Sequence, residues 1–81
     1  METGYILFSL KPGAKKDFIT KVKKISAVKE ARLVIGIWDA VVKIETKDME
    51  ELEKVYFNEI DKIASITNSR LHIVACPRTR K

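Results

Sequence analysis

Apolar and polar positions follow two different periods along this chain, and the switches between them mark out six elements. Residues 5–10 form a short apolar run, with Tyr5, Ile6, Leu7, Phe8 and Leu10, closed by Lys11-Pro12-Gly13. Aromatic and aliphatic side chains this dense before a Pro-Gly pair predict a strand and a turn. From Ala14 the spacing becomes helical: Ala14, Phe18, Ile19, Val22 and Ile25 share one side, and the pattern stops near Ser26-Ala27. Residues 28–35 alternate, with Ala31, Leu33 and Ile35 opposite Glu30 and Arg32. Residues 39–45 alternate again, with Ala40, Val42 and Ile44 on one face. A period of two sends neighbours to opposite faces of a strand, so two strands joined at Gly36 are expected. Asp48 stands three residues before Glu51, an aspartate variant of the capping box. It opens a second helix whose apolar stripe is Met49, Leu52, Tyr56, Ile60 and Ile63. Residues 71–76 supply a last strand, which can begin as early as Ile66.

The order β-α-β-β-α-β predicts an α+β, ferredoxin-like fold, a four-stranded antiparallel sheet with both helices on one face. Two positions do not fit a self-contained monomer. The first strand is apolar on both faces, Tyr5 and Leu7 opposing Ile6, Phe8 and Leu10. Two helices cover only one face, so another surface must cover the second. Phe57 falls about 100° from the centre of the second helical stripe. It is read either as an exposed ring, of the kind that marks interfaces, or as a ring folded against its neighbours.

Composition narrows the class. A chain of 81 residues has surface enough for one core, so residues 1–81 are expected to be one domain. Apolar residues make up 46% and charged residues 33%, with three Gly and two Pro, a globular balance. No apolar run approaches the roughly 18 residues of a membrane span, and no secretory signal pattern opens the chain, so a cytoplasmic location is expected. Cys76 and His72 are the only residues of their kinds. No intrachain disulfide and no zinc-ligand spacing can be assembled; both read as strand residues, and no metal or cofactor is expected. Gln is absent while Lys and Glu are plentiful, a bias of proteins that work at high temperature. The net charge of +5 invites a nucleic-acid reading, yet Lys16, Lys21, Lys23 and Lys24 spread around the polar side of the first helix as a solvated face does. After Pro77, the basic end Arg78-Thr79-Arg80-Lys81 either touches phosphate or stays disordered.

Within this order of elements, Leu33-Val34-Ile35-Gly36-Ile37-Trp38-Asp39-Ala40-Val41-Val42-Lys43-Ile44 carries Gly-x-aromatic-Asp between the second and third strands. This resembles the effector domain of the leucine-responsive/asparagine-regulator (Lrp/AsnC) family. Lys11-Pro12-Gly13, Ala27-Val28-Lys29-Glu30-Ala31 and Ser69-Arg70 are similar to that family at the matching places, so the likeness covers essentially the whole chain. Only three residues precede Gly4, leaving no room for the family's N-terminal helix-turn-helix. The expectation is therefore the stand-alone form, the RAM domain, with no DNA binding of its own. The resemblance implies a dimeric α/β sandwich made by sheet-to-sheet packing, rings of dimers, and small effectors such as amino acids bound between dimers. Co-assembly with full-length Lrp/AsnC regulators is a further expectation.

The resemblance places a ligand site on Gly36, Trp38 and Asp39, with Ser69 and Arg70 across it. An α-amino acid brings one cation and one anion that need partners shielded from water. Asp39 would receive the ammonium, and backbone N–H groups at Gly36 with the Ser69 hydroxyl or Arg70 would meet the carboxylate, against a Trp38 wall. Each residue also has a purely structural reading: Gly36 as a positive-φ turn, Asp39 as a hairpin backbone acceptor, Trp38 as oligomer core. The sequence departs from the family in Leu71, where a second hydroxyl is common, and in Trp38, where Tyr is usual.

Other classes fit less well. An RNA-recognition motif shares the element order, but its third strand carries stacking aromatics, and residues 39–45 have none. For an enzyme, His72 lacks a sequence-evident nucleophile and acid, and no phosphate loop or paired-histidine motif occurs; no catalytic residue is assigned. A structural assembly module without a ligand is the serious rival, since it would use the same interface residues.

Overall fold

The computed structural model describes residues 1–75. Cys76, the basic end 78–81 and the last position of the expected final strand lie outside them. The observed elements are β1 (Glu2–Leu10), α1 (Lys15–Val22), β2 (Val28–Leu33), β3 (Ala40–Thr46), α2 (Met49–Val55) continued by one π-helical turn (Tyr56–Ile60), and β4 (Ile66–Ile73). The strands form one antiparallel sheet in the order β2-β3-β1-β4, the ferredoxin-like arrangement expected from the element order.

Register decides which side chains share a face. β1 runs against β3 from Glu2↔Thr46 to Phe8↔Ala40 and against β4 from Gly4↔Ile73 to Leu10↔Ile66. Ile6 and Phe8 therefore line up with Val42 and Ala40 beneath the helices, and all four are fully buried with Ile44. Phe18 and Val22 of α1 close the core from one side, and Leu52, Val55 and Ile60 from the other. The Phe8 and Phe18 rings lie 4.9 Å apart, tilted by 57°, a favourable aromatic geometry that anchors α1 to the sheet centre.

Local chemistry fixes the connections. In the β1–α1 turn the Ala14 N–H donates to the Lys11 carbonyl at 3.1 Å, and Gly13 sits at φ 79°. That is a Pro-Gly turn whose third position requires positive φ. At the start of α2 the Asp48 carboxylate accepts the Glu51 N–H at 2.9 Å, and the Glu51 carboxylate accepts the Lys47 N–H at 3.0 Å. One helix-start donor is thereby satisfied by the Asp48 cap, while Glu51 reaches back to the residue before the cap instead of the Asp48 N–H that a full capping box engages.

Several expected boundaries shift: β1 begins at Glu2 instead of Tyr5, and β4 starts at the earlier limit, Ile66, but ends at Ile73, so residues 74 and 75 fall outside the expected final strand. Strand two stops at Leu33 instead of Ile35, because residues 34–39 leave the ladder as a loop. α1 ends at Val22 rather than near Ser26; tighter turns follow, with the Lys24 N–H on the Lys21 carbonyl and the Ile25 N–H on the Val22 carbonyl, both 3.2 Å. Those turns still bury Ile25. The second helix widens at its end, where the Asp61 N–H reaches back five residues to the Tyr56 carbonyl at 2.8 Å, and the wider turn brings Ile60 fully into the core. Among the described residues no helix is long and apolar enough to cross a membrane.

Candidate functional site

The Gly-x-aromatic-Asp segment is the β2–β3 loop, and Asp39 holds its base with three hydrogen bonds. Its carbonyl accepts the Val34 N–H at 2.9 Å, closing the loop, and its own N–H donates to the Phe8 carbonyl at 2.7 Å. The Leu10 N–H donates to Asp39 Oδ2 at 2.8 Å. That donor lies beyond the end of the β1–β3 ladder, whose register stops at Phe8↔Ala40, so a side chain supplies the acceptor. The Asp39 carboxylate therefore does accept a backbone bond, but from the end of β1 and not from its own hairpin. Its second oxygen takes no hydrogen bond among the described residues.

Above that base the loop stands away from the protomer. Gly36 has φ 149°, a backbone conformation side chains disfavour, and apart from Ile35, Ile37 and Gly36 itself no described residue comes within 4 Å of where a Cβ would be. Ile35 and Ile37 flank it at 103% and 90% exposure, while Trp38 is half-buried near the base. Two large aliphatic side chains in water on one loop are unusual in a finished surface.

Ser69 and Arg70 diverge, as successive strand residues must. Ser69 pairs with Phe8, which also pairs with Ala40, so it lies two strands from the end of the Asp39 loop, with β1 between them, and on the helix side. Its hydroxyl is 2.7 Å from the Tyr56 hydroxyl on the π-helical turn. Arg70 pairs with Leu7 and belongs to the other face. Within one protomer, then, Trp38 and Asp39 share a strand end with Gly36 projecting beyond them, β1 separates Ser69 from them, and Arg70 does not join Ser69. Sequence reasoning missed Tyr56 as the partner of Ser69, and it missed the exposure of Ile35 and Ile37.

The face opposite the helices is open. Tyr5 keeps 40% exposure, and Leu7 and Val41 beside it are half-buried. Register surrounds these three with Glu30, Arg32, Lys43, Arg70 and His72. A cavity of about 110 Å³ opens there between Tyr5, Glu30, Arg32, Val41 and Lys43. The Arg32 guanidinium hydrogen-bonds the Glu30 carboxylate and holds it below the usual carboxylate range. Among the described residues no group of three or more His, Cys, Asp or Glu is placed to hold a metal ion.

Comparison with known proteins agrees with this architecture. The family model for the Lrp/AsnC ligand binding domain matches residues 3–77. The proline dehydrogenase transcriptional activator of Rhizobium radiobacter is 30% identical over 61 residues, which cover 75% of this chain and 39% of that protein. The chain thus spans well under half of that curated relative. The crystal structure of the hypothetical protein PHS023 from Pyrococcus horikoshii superimposes with a TM-score of 0.89 at 29% identity, covering 94% of this chain and 92% of that one. The transcriptional regulator NMB0573 of Neisseria meningitidis, solved as a complex with L-Met, shares the fold with a TM-score of 0.84 at 16% identity, over 98% of this chain and 53% of its own. With the element order, the β2–β3 loop and a family match over nearly its whole length, this chain belongs to the Lrp/AsnC ligand-binding domain family.

Proposed function

We propose that the chain, as one domain over residues 1–81, is a non-enzymatic cytoplasmic module that binds a small effector, an amino acid, and assembles with copies of itself. The observation that carries this is the unfinished state of the β2–β3 loop. Gly36 has no neighbour across from it, and Ile35 and Ile37 face water. A ligand pocket shields most of its occupant, so these residues need walls from a second protomer to become one. The open sheet face supplies the means: Tyr5, Leu7 and Val41 form an apolar centre ringed by charges, which suits sheet-to-sheet packing into a dimer.

At such a junction, Gly36 backbone groups, Trp38 and Asp39 from the loop meet the effector, with Ser69 and Arg70 contributed from the two faces of β4. Asp39 Oδ1 receives the ammonium while Oδ2 stays on Leu10. The L-Met complex of the Neisseria relative supports an amino acid as the ligand class. Rings of dimers and mixed assemblies with DNA-binding relatives follow from the same reading.

The test is a thermal melt combined with absolute mass by light scattering, run against the twenty amino acids. A ligand that binds only the native state at about a hundred times its Kd stabilises by roughly 2.7 kcal/mol, several degrees for a domain of this size. One amino acid is expected to raise the Tm, and Trp38→Ala to abolish the rise while leaving the unliganded Tm within a few degrees. An oligomer indifferent to all twenty would assign the module to assembly alone.

A further inference from the structure

One pair of hydroxyls bridges the helical layer and the edge of the sheet. Tyr56 opens the π-helical turn that continues α2, and its hydroxyl lies 2.7 Å from Ser69 Oγ on β4. Among the described residues neither hydroxyl makes a second hydrogen bond. β4 is an edge strand, and the helices leave its helix side partly open: Tyr56, Ser69 and Leu71 are half-buried, and Ile73 keeps 44% exposure. Register places Leu71 and Ile73 after Ser69 on that side, so the strand itself offers no second hydroxyl there. The π-helical turn brings one instead. Such turns are rare and frequently occupy functional sites.

The direction of the bond decides what Ser69 can do. A hydroxyl has one hydrogen to donate and two lone pairs with which to accept. A serine that spent its hydrogen on Tyr56 would meet a ligand only as an acceptor. A phenol is a stronger acid than an aliphatic alcohol, and its oxygen, conjugated with the ring, is the poorer acceptor, so the favoured direction runs from Tyr56 to Ser69. The Ser69 hydrogen is then free, and a hydroxyl that accepts one hydrogen bond donates the next more strongly. An anionic group gains most from such a donor, because charge-assisted bonds are about twice as strong as neutral ones.

We infer that Tyr56 is a positioning residue of the effector site: by donating to Ser69 Oγ it keeps the Ser69 hydrogen for the effector's carboxylate. The inference rests on the reading that Ser69 lines that site, and it adds a residue that acts through Ser69 without touching the effector. The Tyr56 ring is braced for this role edge-on against Phe57, with 5.1 Å between centroids.

Tyr56→Phe keeps the ring and removes only the hydroxyl; Ser69→Ala removes the hydroxyl it serves. Circular dichroism checks that both fold, and calorimetric titration with each of the twenty amino acids reads the affinity of wild type, both single variants and the double variant. For the amino acid that binds, Ser69→Ala is expected to weaken affinity by roughly tenfold or more, as the loss of a hydrogen bond to a charged group does. Tyr56→Phe should weaken it by roughly two- to tenfold. The double variant should bind no more weakly than Ser69→Ala, because Tyr56 has nothing left to position. A Tyr56→Phe protein that binds as wild type does, or losses that add in the double variant, overturns the inference and leaves the effector site standing; a lower unliganded Tm alone would make the pair a structural tie between the turn and β4. Ser69→Ala without effect removes Ser69 from the site and the inference with it. A wild type that binds none of the twenty overturns both the site and the inference.

Discussion

The two faces of the sheet are built from alternate residues of the same strands, yet they reach opposite states. On one, Ile6, Phe8, Val42 and Ile44 lie wholly buried beneath α1 and α2. On the other, Tyr5, Leu7 and Val41 remain half-open among Glu30, Arg32, Lys43, Arg70 and His72. A strand exposed to water on one side ordinarily alternates apolar with polar, and β3 nearly does, with Val41, Lys43 and Glu45 outward. β1 does not. The contrast teaches that alternation alone does not account for β1, whose second apolar face no described residue covers.

The sharpest break in that contrast comes from the covered face. Phe8→Ala removes a fully buried ring that touches Phe18, and is expected to cost about 3–5 kcal/mol, enough to unfold most of a domain this small. Urea denaturation reads it, and a loss under about 1 kcal/mol would mean that the helices do not seal this face. On the open face, Leu7→Asp should leave the circular dichroism spectrum native while reducing the solution mass from dimer to monomer, because two like charges would meet across the two-fold axis. An unchanged mass would show that the open face is not the interface. At the sheet end, Asp39→Ala strands the Leu10 N–H and should cost about 1–3 kcal/mol, whereas Asp39→Asn, whose amide oxygen still accepts, should cost less. Equal losses would point to the charge itself.

The smallest effect concerns acid. The Ser65 hydroxyl donates to Asp17 at 2.9 Å and Lys21 pairs with it, so the Asp17 carboxyl is held below its ordinary value, chiefly by Ser65. A carboxyl depressed in the folded state stabilises at pH above its unfolded value, and that contribution is lost as pH falls through the folded value. Stability of the wild type should therefore decline more steeply in acid than that of Ser65→Ala, and superimposable acid profiles would remove Asp17 from the account.

Much of this is legible in the sequence, because hydrophobic period depends only on neighbours a few residues away. The element order, the Asp48 cap, the Pro12-Gly13 turn and the doubly apolar β1 all rest on such short-range patterns. What escaped depends on register between distant strands. The donor to the Asp39 carboxylate is Leu10, twenty-nine positions away, and it is left for Asp39 because the β1–β3 ladder ends at Phe8↔Ala40. Tyr56 and Ser69 meet because a widened helical turn and a strand pairing coincide. The alternation through Ile35 promised more strand than exists, since period alone does not report where Asp39 pulls the chain across the end of β1.

The loop at residues 34–39 has one more consequence. Tethered at its base by Asp39 and bare at its tip, with Ile35 and Ile37 in water around a glycine, it is the segment among the described residues that a protease would engage first. Its lifetime in dilute protease is thus a clock for assembly: a lone protomer should be nicked between β2 and β3 within the first minutes, and a copy whose loop is enclosed by a neighbour should outlast it, so a single gel lane can report how completely this protein has found its own kind.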